Sequence, residues 1–112
     1  MSAPRLNRKL VLEEAQRVPD GAGGWSLNWV VLGALWAAVD AGAGGERAGE
    51  FLTVSSVSYR ITVRGAPQGA PSRPKPEQRF RDGARTFRIS AVTEADPVGK
   101  YLTCFAQEEV VA

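Results

Sequence analysis

Val57-Ser58-Tyr59-Arg60-Ile61-Thr62-Val63-Arg64 alternates without a break, with Val57, Tyr59, Ile61 and Val63 on one side and Ser58, Arg60, Thr62 and Arg64 on the other. In an extended chain successive side chains point to opposite faces, so this period of two is that of a half-buried sheet. The stretch predicts a strand with its apolar side in a core and its hydroxyls and guanidiniums in water.

Downstream, Arg79-Phe80-Arg81-Asp82-Gly83-Ala84-Arg85-Thr86-Phe87-Arg88-Ile89 centres on Asp-Gly, a favoured two-residue hairpin turn. Beyond the turn, Phe87, Ile89 and Ala91 alternate with Arg88 and Ser90. Thr93 to Lys100 reads as a polar turn around Pro97 and Gly99, and Tyr101 to Val111 as a closing strand. Either Tyr101, Thr103 and Phe105 or Leu102, Cys104 and Ala106 face inward there, and the leucine–cysteine face is the better core. On that reading Cys104 is a small buried hydrophobe before it is a nucleophile.

Upstream the pattern is less regular. Leu6 to Val18 places Leu10 and Leu12 on one face, although Arg8, Glu14 and Gln16 share their parity. Pro19-Asp20-Gly21-Ala22-Gly23-Gly24 then ends this first strand in a turn or loop. Trp25 to Asp40 supports two readings: Trp29, Leu32, Trp36 and Val39 fall at helical spacing, whereas Trp29 to Leu32 are strand-prone and Gly33 weakens a helix interior. One long strand, bulged near Gly33, is preferred. Ala41 to Glu50 is rich in glycine and alanine, which predicts an exposed, flexible excursion. Residues 65–78 contain Pro67, Pro71, Pro74 and Pro76, which predicts an extended linker or protruding arm.

These segments total about six strands with turn signals at short spacing. The fold class expected is all-β: a small antiparallel β-barrel or sandwich with long loops at about 19–24, 41–50 and 65–78. At 112 residues the chain makes one domain, 1–112. Its apolar share of 44% and charged share of 23% are ordinary for a soluble globular protein and argue against wholesale disorder. No apolar run reaches membrane-span length, so no membrane partner is expected. Met1 to Leu10 lacks a signal-peptide core, so synthesis in the cytoplasm is expected.

The residues for chemistry are few. There is no histidine and one cysteine, which removes a typical zinc site, an internal disulfide and the Ser-His or Cys-His nucleophile pairs. Gly21 to Gly24 and Gly42 to Gly45 lack the Lys-Ser/Thr of a phosphate-binding P-loop. Glu13-Glu14 and Glu108-Glu109 are adjacent pairs, whose carboxylates point to opposite faces of a strand and cannot share a proton. No catalytic residue, metal or cofactor is expected.

Charge is segregated within a net of +2. From Arg60 to Arg88 eight basic residues (Arg60, Arg64, Arg73, Lys75, Arg79, Arg81, Arg85 and Arg88) stand against Glu77 and Asp82, a balance of +6. From Glu94 onward Glu94, Asp96, Glu108 and Glu109 stand against Lys100, a balance of −3. A solvated face, nucleic-acid contact and pairing between identical subunits all fit this pattern. Tyr59, Phe80 and Phe87 among arginines such as Arg60 also fit a single-strand stacking platform, although alternating aromatics in a small barrel are more often core.

In order and spacing the features resemble the phage head-tail joining proteins, also called head closure or stopper proteins, a family that includes the gene transfer agent version. The matching elements begin with Leu6-Asn7-Arg8 to Leu12-Glu13, the Gly23-Gly24 loop and Trp29. Leu35-Trp36-Ala37-Ala38-Val39 and Glu46 with Ala48 follow. Then come Tyr59 to Arg64, the Arg81-Asp82-Gly83 turn with Phe87-Arg88-Ile89, and Tyr101-Leu102-Thr103-Cys104 with Glu108. The proline-rich stretch from Pro67 to Pro76 departs from the family's pattern.

The resemblance implies a strand at Trp25–Asp40, a β-barrel, and a structural rather than enzymatic role. It implies a ring of copies, commonly a dodecamer, in the neck of a virion or gene transfer agent particle made in a bacterial host. A portal-adaptor ring lies above and a tail terminator or tail tube below, with packaged double-stranded DNA held non-specifically in the lumen. A closed ring needs two different patches meeting head to tail. The expected interface is Arg60, Arg64, Arg85 and Arg88 against Glu94, Asp96, Glu108 and Glu109. For channel closure the expected loop is Ala41, Gly42, Ala43, Gly44, Gly45, Glu46 and Arg47, with 65–78 second. The rival readings are a tail terminator or minor tail subunit, and a free-standing nucleic-acid-binding β-barrel.

Overall fold

The computed structural model describes residues 3–41 and 57–109. Six strands follow one another: β1 (Arg8–Pro19), β2 (Trp25–Ala41), β3 (Val57–Arg64), β4 (Arg79–Asp82), β5 (Arg85–Glu94) and β6 (Tyr101–Glu109). Every neighbouring pair is antiparallel, and the order β1-β2-β3-β6-β5-β4 closes on itself as β4 returns to β1. The all-β expectation resolves to a barrel, and no helix occurs among the described residues.

The alternation of β3 sets the inside. Ile61 and Val63 are fully buried and meet Leu10 and Leu12 of β1, Ala37 of β2 and Phe80 of β4. Phe87 and Ile89 of β5 and Leu102, Cys104 and Ala106 of β6 complete the core, so the leucine–cysteine face of the last strand is the inner one. Each large aliphatic or phenyl side chain so buried contributes about 1.5–3 kcal/mol. Val57 stays exposed, because it sits where the strand enters the barrel.

Two bulges bend the wall. In β2, Gly33 pairs with Leu12 and Val31 with Glu13, which leaves Leu32 as the extra residue. In β5, Ile89 pairs with Ala106 and Ala91 with Phe105, which leaves Ser90. A bulge reverses the parity of everything beyond it. Ala91 therefore turns outward despite sharing spacing with Phe87 and Ile89, and half-buried Val92 takes its place inside. The hairpin turn also falls one residue later than Asp-Gly: Asp82 pairs with Arg85, and Gly83 adopts a positive φ of 62°.

The barrel has two unlike ends. At one, β1 begins, β2 ends at Ala41, β3 begins, the β4–β5 turn crosses over and β6 ends. At the other, β1 and β2 continue past their outer neighbours. β4 pairs with β1 only over Val11–Glu13, and β3 pairs with β2 only over Ala37–Ala41. Glu14–Pro19 and Trp25–Val30 are left as a two-stranded arm, about 20 Å long at 3.3 Å per residue. Asp20 closes its tip by accepting the Ala22 and Gly24 amides at 2.8 and 2.9 Å, beside Gly21 and Gly23 at positive φ.

Residues 65–78 differ from the arm expected of them. The segment folds onto the barrel end: the Gly65 amide donates to the Lys100 carbonyl at 2.8 Å, and Glu77 and Gln78 exchange backbone bonds with Ile89. Pro74 is fully buried. Proline-rich sequence here makes short turns with few amides to satisfy, rather than a projection. Gly65 is the close approach: a Cβ there would lie 2.2 Å from the Gly99 carbonyl oxygen. Of the expected closure loop, Ala41 is the last residue of β2, and Gly42 to Arg47 lie outside the described residues.

Candidate functional site

Inward-facing charges cover the barrel end from which β2 exits. Arg8 of β1 pairs with Asp82 of β4. Arg85 grips Glu108 with two bonds, at 2.8 and 3.1 Å, and donates to the Tyr59 hydroxyl at 3.2 Å. That hydroxyl donates to Glu108 at 3.2 Å, and the Tyr59 ring meets Phe87 edge-on at 5.1 Å. The Arg85 bonds hold the Glu108 carboxyl below the usual carboxylate range, and the same bonds push Arg85 further up.

A second ionic group lies on the outer wall where the arm leaves the barrel. Glu13 is 4% exposed and accepts from Arg79 at 2.7 Å and Arg81 at 2.8 Å. Burial opposes its charge, yet the two guanidinium bonds and their positive field together keep its pKa below the ordinary value. Arg79 also lies 4.1 Å over the Trp29 ring, and Arg88 lies 5.2 Å from it. Arg88 in turn pairs with Glu77 at 3.1 Å and Glu109 at 3.5 Å.

The charges singled out in the sequence thus separate into two sets. Arg85 and Glu108, and Arg88 and Glu109, meet within one chain. Asp96 accepts the Val98, Lys100 and Tyr101 amides, which stabilise its charge and lower its pKa, and it shapes its own turn. Arg60, Arg64 and Glu94 make no ion pair among the described residues, and all three are exposed. Arg64 lies 5.9 Å from the Tyr101 ring.

For chemistry the interior has little to present. Burial pushes the Cys104 thiol up to about 12, and no group of three metal-ligating side chains occurs among the described residues. Phe80 and Phe87 are fully buried, so neither is free to stack a base as the single-strand platform requires.

Sequence reasoning missed an apolar wall. Because the bulge at Leu32 reverses parity, Trp25, Leu27, Trp29 and Val31 face outward together with Ala34 and Trp36. Trp25 is 59% exposed, Leu27 54%, Val31 56% and Trp36 56%. Monomeric proteins scatter such residues singly and rarely line them up. The signal was present: no charged residue occurs between Trp25 and Val39, although a half-buried strand needs an apolar residue only at every second position.

The family model described as phage head completion protein matches residues 1–109. Among solved structures, a chain from "Virion of native gene transfer agent (GTA) particle" is 65% identical, with 98% of this chain and 100% of that chain covered and a TM-score of 0.82. A protein from Shigella flexneri 2a, solved in solution, is 18% identical with both chains fully covered and a TM-score of 0.69, a likeness of fold alone. No curated protein sequence matches.

Proposed function

Because the chain belongs to the phage head completion protein family, we propose that it forms a ring in the neck of a tailed-phage-type or gene transfer agent particle. The ring sits between the portal-adaptor ring and the tail terminator or tail tube. It retains packaged double-stranded DNA and offers the surface to which the tail attaches. The role is structural and not catalytic, and the chain is made in the bacterial host cytoplasm before assembly. Supporting this are the family match and the 65% identity to a chain of a gene transfer agent virion.

The observation that carries the reading is the uncharged outer wall of β2. A barrel that worked alone would cover Trp25, Leu27, Val31 and Trp36 or replace them with polar residues. A subunit that meets neighbours has a use for them. The charges contribute in a narrower way than their number suggests. Arg60 and Arg64 of one subunit face Glu94 of the next, while Arg85 and Arg88 brace their own barrel through Glu108 and Glu109. Ala41, where the expected closure loop begins, stands at the end that carries the Arg85–Glu108 cluster, and 65–78 lies against the opposite end.

The test is particle production without this chain. Filled heads that lack tails and lose their DNA are expected; tailed, filled particles at unchanged yield would overturn the proposal. Deleting residues 42–45 separates closure from joining. Joined particles that leak DNA are expected, and full retention counts against closure by this loop.

A further inference from the structure

The arm is exposed along its edges as well as on its outer face. Among the described residues, the side of β2 away from β1 has no strand beside it from Trp25 to Trp36. The side of β1 away from β2 has no strand beside it from Glu14 to Pro19 among the described residues, with Gln78 next to its start and donating to the Glu14 carboxylate at 3.2 Å. A free strand edge is a row of unpaired amides and carbonyls, and natural proteins blunt such edges with charges, prolines or short length. The edge of β2 is long and carries neither charge nor proline. The edge of β1 is short, ends in Pro19 and holds Glu14 and Arg17.

We propose that part of the free edge of β2 is paired by Glu14–Pro19 of β1 from a second copy of this chain, so that the arms of neighbouring subunits join into one intersubunit antiparallel sheet. The inference rests on the reading that several copies meet in one particle. Its occupant follows from what each chain already does: β1 and β2 pair over twelve positions, with Arg17 stacked 5.0 Å over Trp25. A neighbour's β1 on the outer edge of β2 repeats the same side-chain types in the same antiparallel sense. The two edges are different surfaces, so the contact is heterologous and propagates from copy to copy, as a ring requires.

Area argues for the edge in addition to the face. The exposed parts of Trp25, Leu27, Val31 and Trp36 amount to about 500 Å² at the size of such side chains. A stable interface needs about 800 Å² from each partner, so side chains alone fall short and backbone pairing makes up the rest. Pairing by strand addition draws its affinity from main-chain hydrogen bonds and its specificity from alternate side chains.

Cysteine pairs carried on separate copies test this in assembled particles. Gln16→Cys is placed in one population of subunits, and Ser26→Cys, Asn28→Cys or Val30→Cys in the other. All four positions share one face of the arm, and the native Cys104 is buried. A disulfide forms only where the Cα atoms lie within about 7 Å, so oxidation reads the register directly. A mixed Gln16-linked dimer is expected from at least one pairing, predominating over homodimers and over a Gln107→Cys control on the β6 wall. Three results overturn the proposal: homodimers of the Asn28→Cys chain in excess, which means two β2 edges meet; a disulfide to a different particle protein; or cross-linking no better than the control. A ring visible by imaging without the mixed dimer removes the edge pairing and leaves the function proposed above. Loss of the ring itself removes both. Hydrogen exchange on unsubstituted particles gives a second reading: amides on the free edge within Trp25–Trp36, over a run no longer than Glu14–Pro19, are protected relative to the isolated chain if the edge is paired, and unchanged if it is not.

Discussion

The two ends of the barrel are made from the same six strands and leave opposite things unsatisfied. At the end where β2 exits, Arg8, Asp82, Arg85 and Glu108 neutralise one another over the Tyr59 and Phe87 rings. At the other, Glu13 ties the base of the arm to the wall, and beyond it the arm exposes Trp25, Leu27 and Val31 along an edge that no strand covers among the described residues. Charge density in a sequence is therefore a poor guide to where a partner docks. Most charges singled out in the sequence find partners within the chain, Arg60, Arg64 and Glu94 excepted, and the long unpaired feature among the described residues is an uncharged strand.

The largest expected effect breaks the ionic end from beneath. Phe87→Ala removes a fully buried ring and the edge-on contact with Tyr59, and is expected to cost about 3–5 kcal/mol by denaturant unfolding. Glu13→Ala breaks the base of the arm. It leaves Arg79, whose side chain is 19% exposed, without its counter-charge, and is expected to cost about 2–3 kcal/mol, reduced because Arg81 reaches solvent. Arg85→Ala loses a bidentate pair whose guanidinium is partly in water, so about 1 kcal/mol is expected.

Acid sharpens the same contrast. Glu13 and Glu108 both have folded-state pKa values below the ordinary 4.5. Their contribution is therefore complete above the unfolded value and is lost as the pH falls through it toward the folded values. Thermal unfolding is expected to be flat with respect to these groups above about pH 5 and to fall below it, with a shallower slope in Glu13→Gln. An unchanged slope in that variant would separate Glu13 from the acid response.

The smallest effect on stability belongs to the arm. Leu27→Ser and Val31→Ser alter exposed positions and are expected to shift unfolding by about 0.5 kcal/mol or less. In particles the same substitutions are expected to lower the yield of joined heads and tails. Loss of stability without loss of joining would reverse the assignment of the wall.

Much of this architecture was legible because local pattern and global fold agree. The alternation of Tyr59 to Val63 runs through a regular strand with no bulge, so parity read from the sequence is parity in the barrel. The hairpin at Asp82-Gly83 was legible but not its register: the turn falls on Gly83-Ala84, and that one-residue shift is what pairs Phe80 with Phe87. Reading failed where a bulge intervenes, because one extra residue exchanges the two faces: Ala91 was expected beside Ile89 and turns outward, and only the bulge at Leu32 puts Trp25 to Val31 on the same face as Ala34 and Trp36. Residues 65–78 misled for another reason. Proline content reports missing amides but not whether the chain folds back, and here Pro74 is buried against the barrel. The charge pairing of Arg85 with Glu108 depends on β5 and β6 being neighbours, which no local pattern encodes.

Imaging particles in which this chain carries a compact label, with the copies counted, tests the central claim most directly. Labels arranged as a ring at the junction of head and tail are expected. Labels on the head surface, along the tail, or present as a single copy would contradict it.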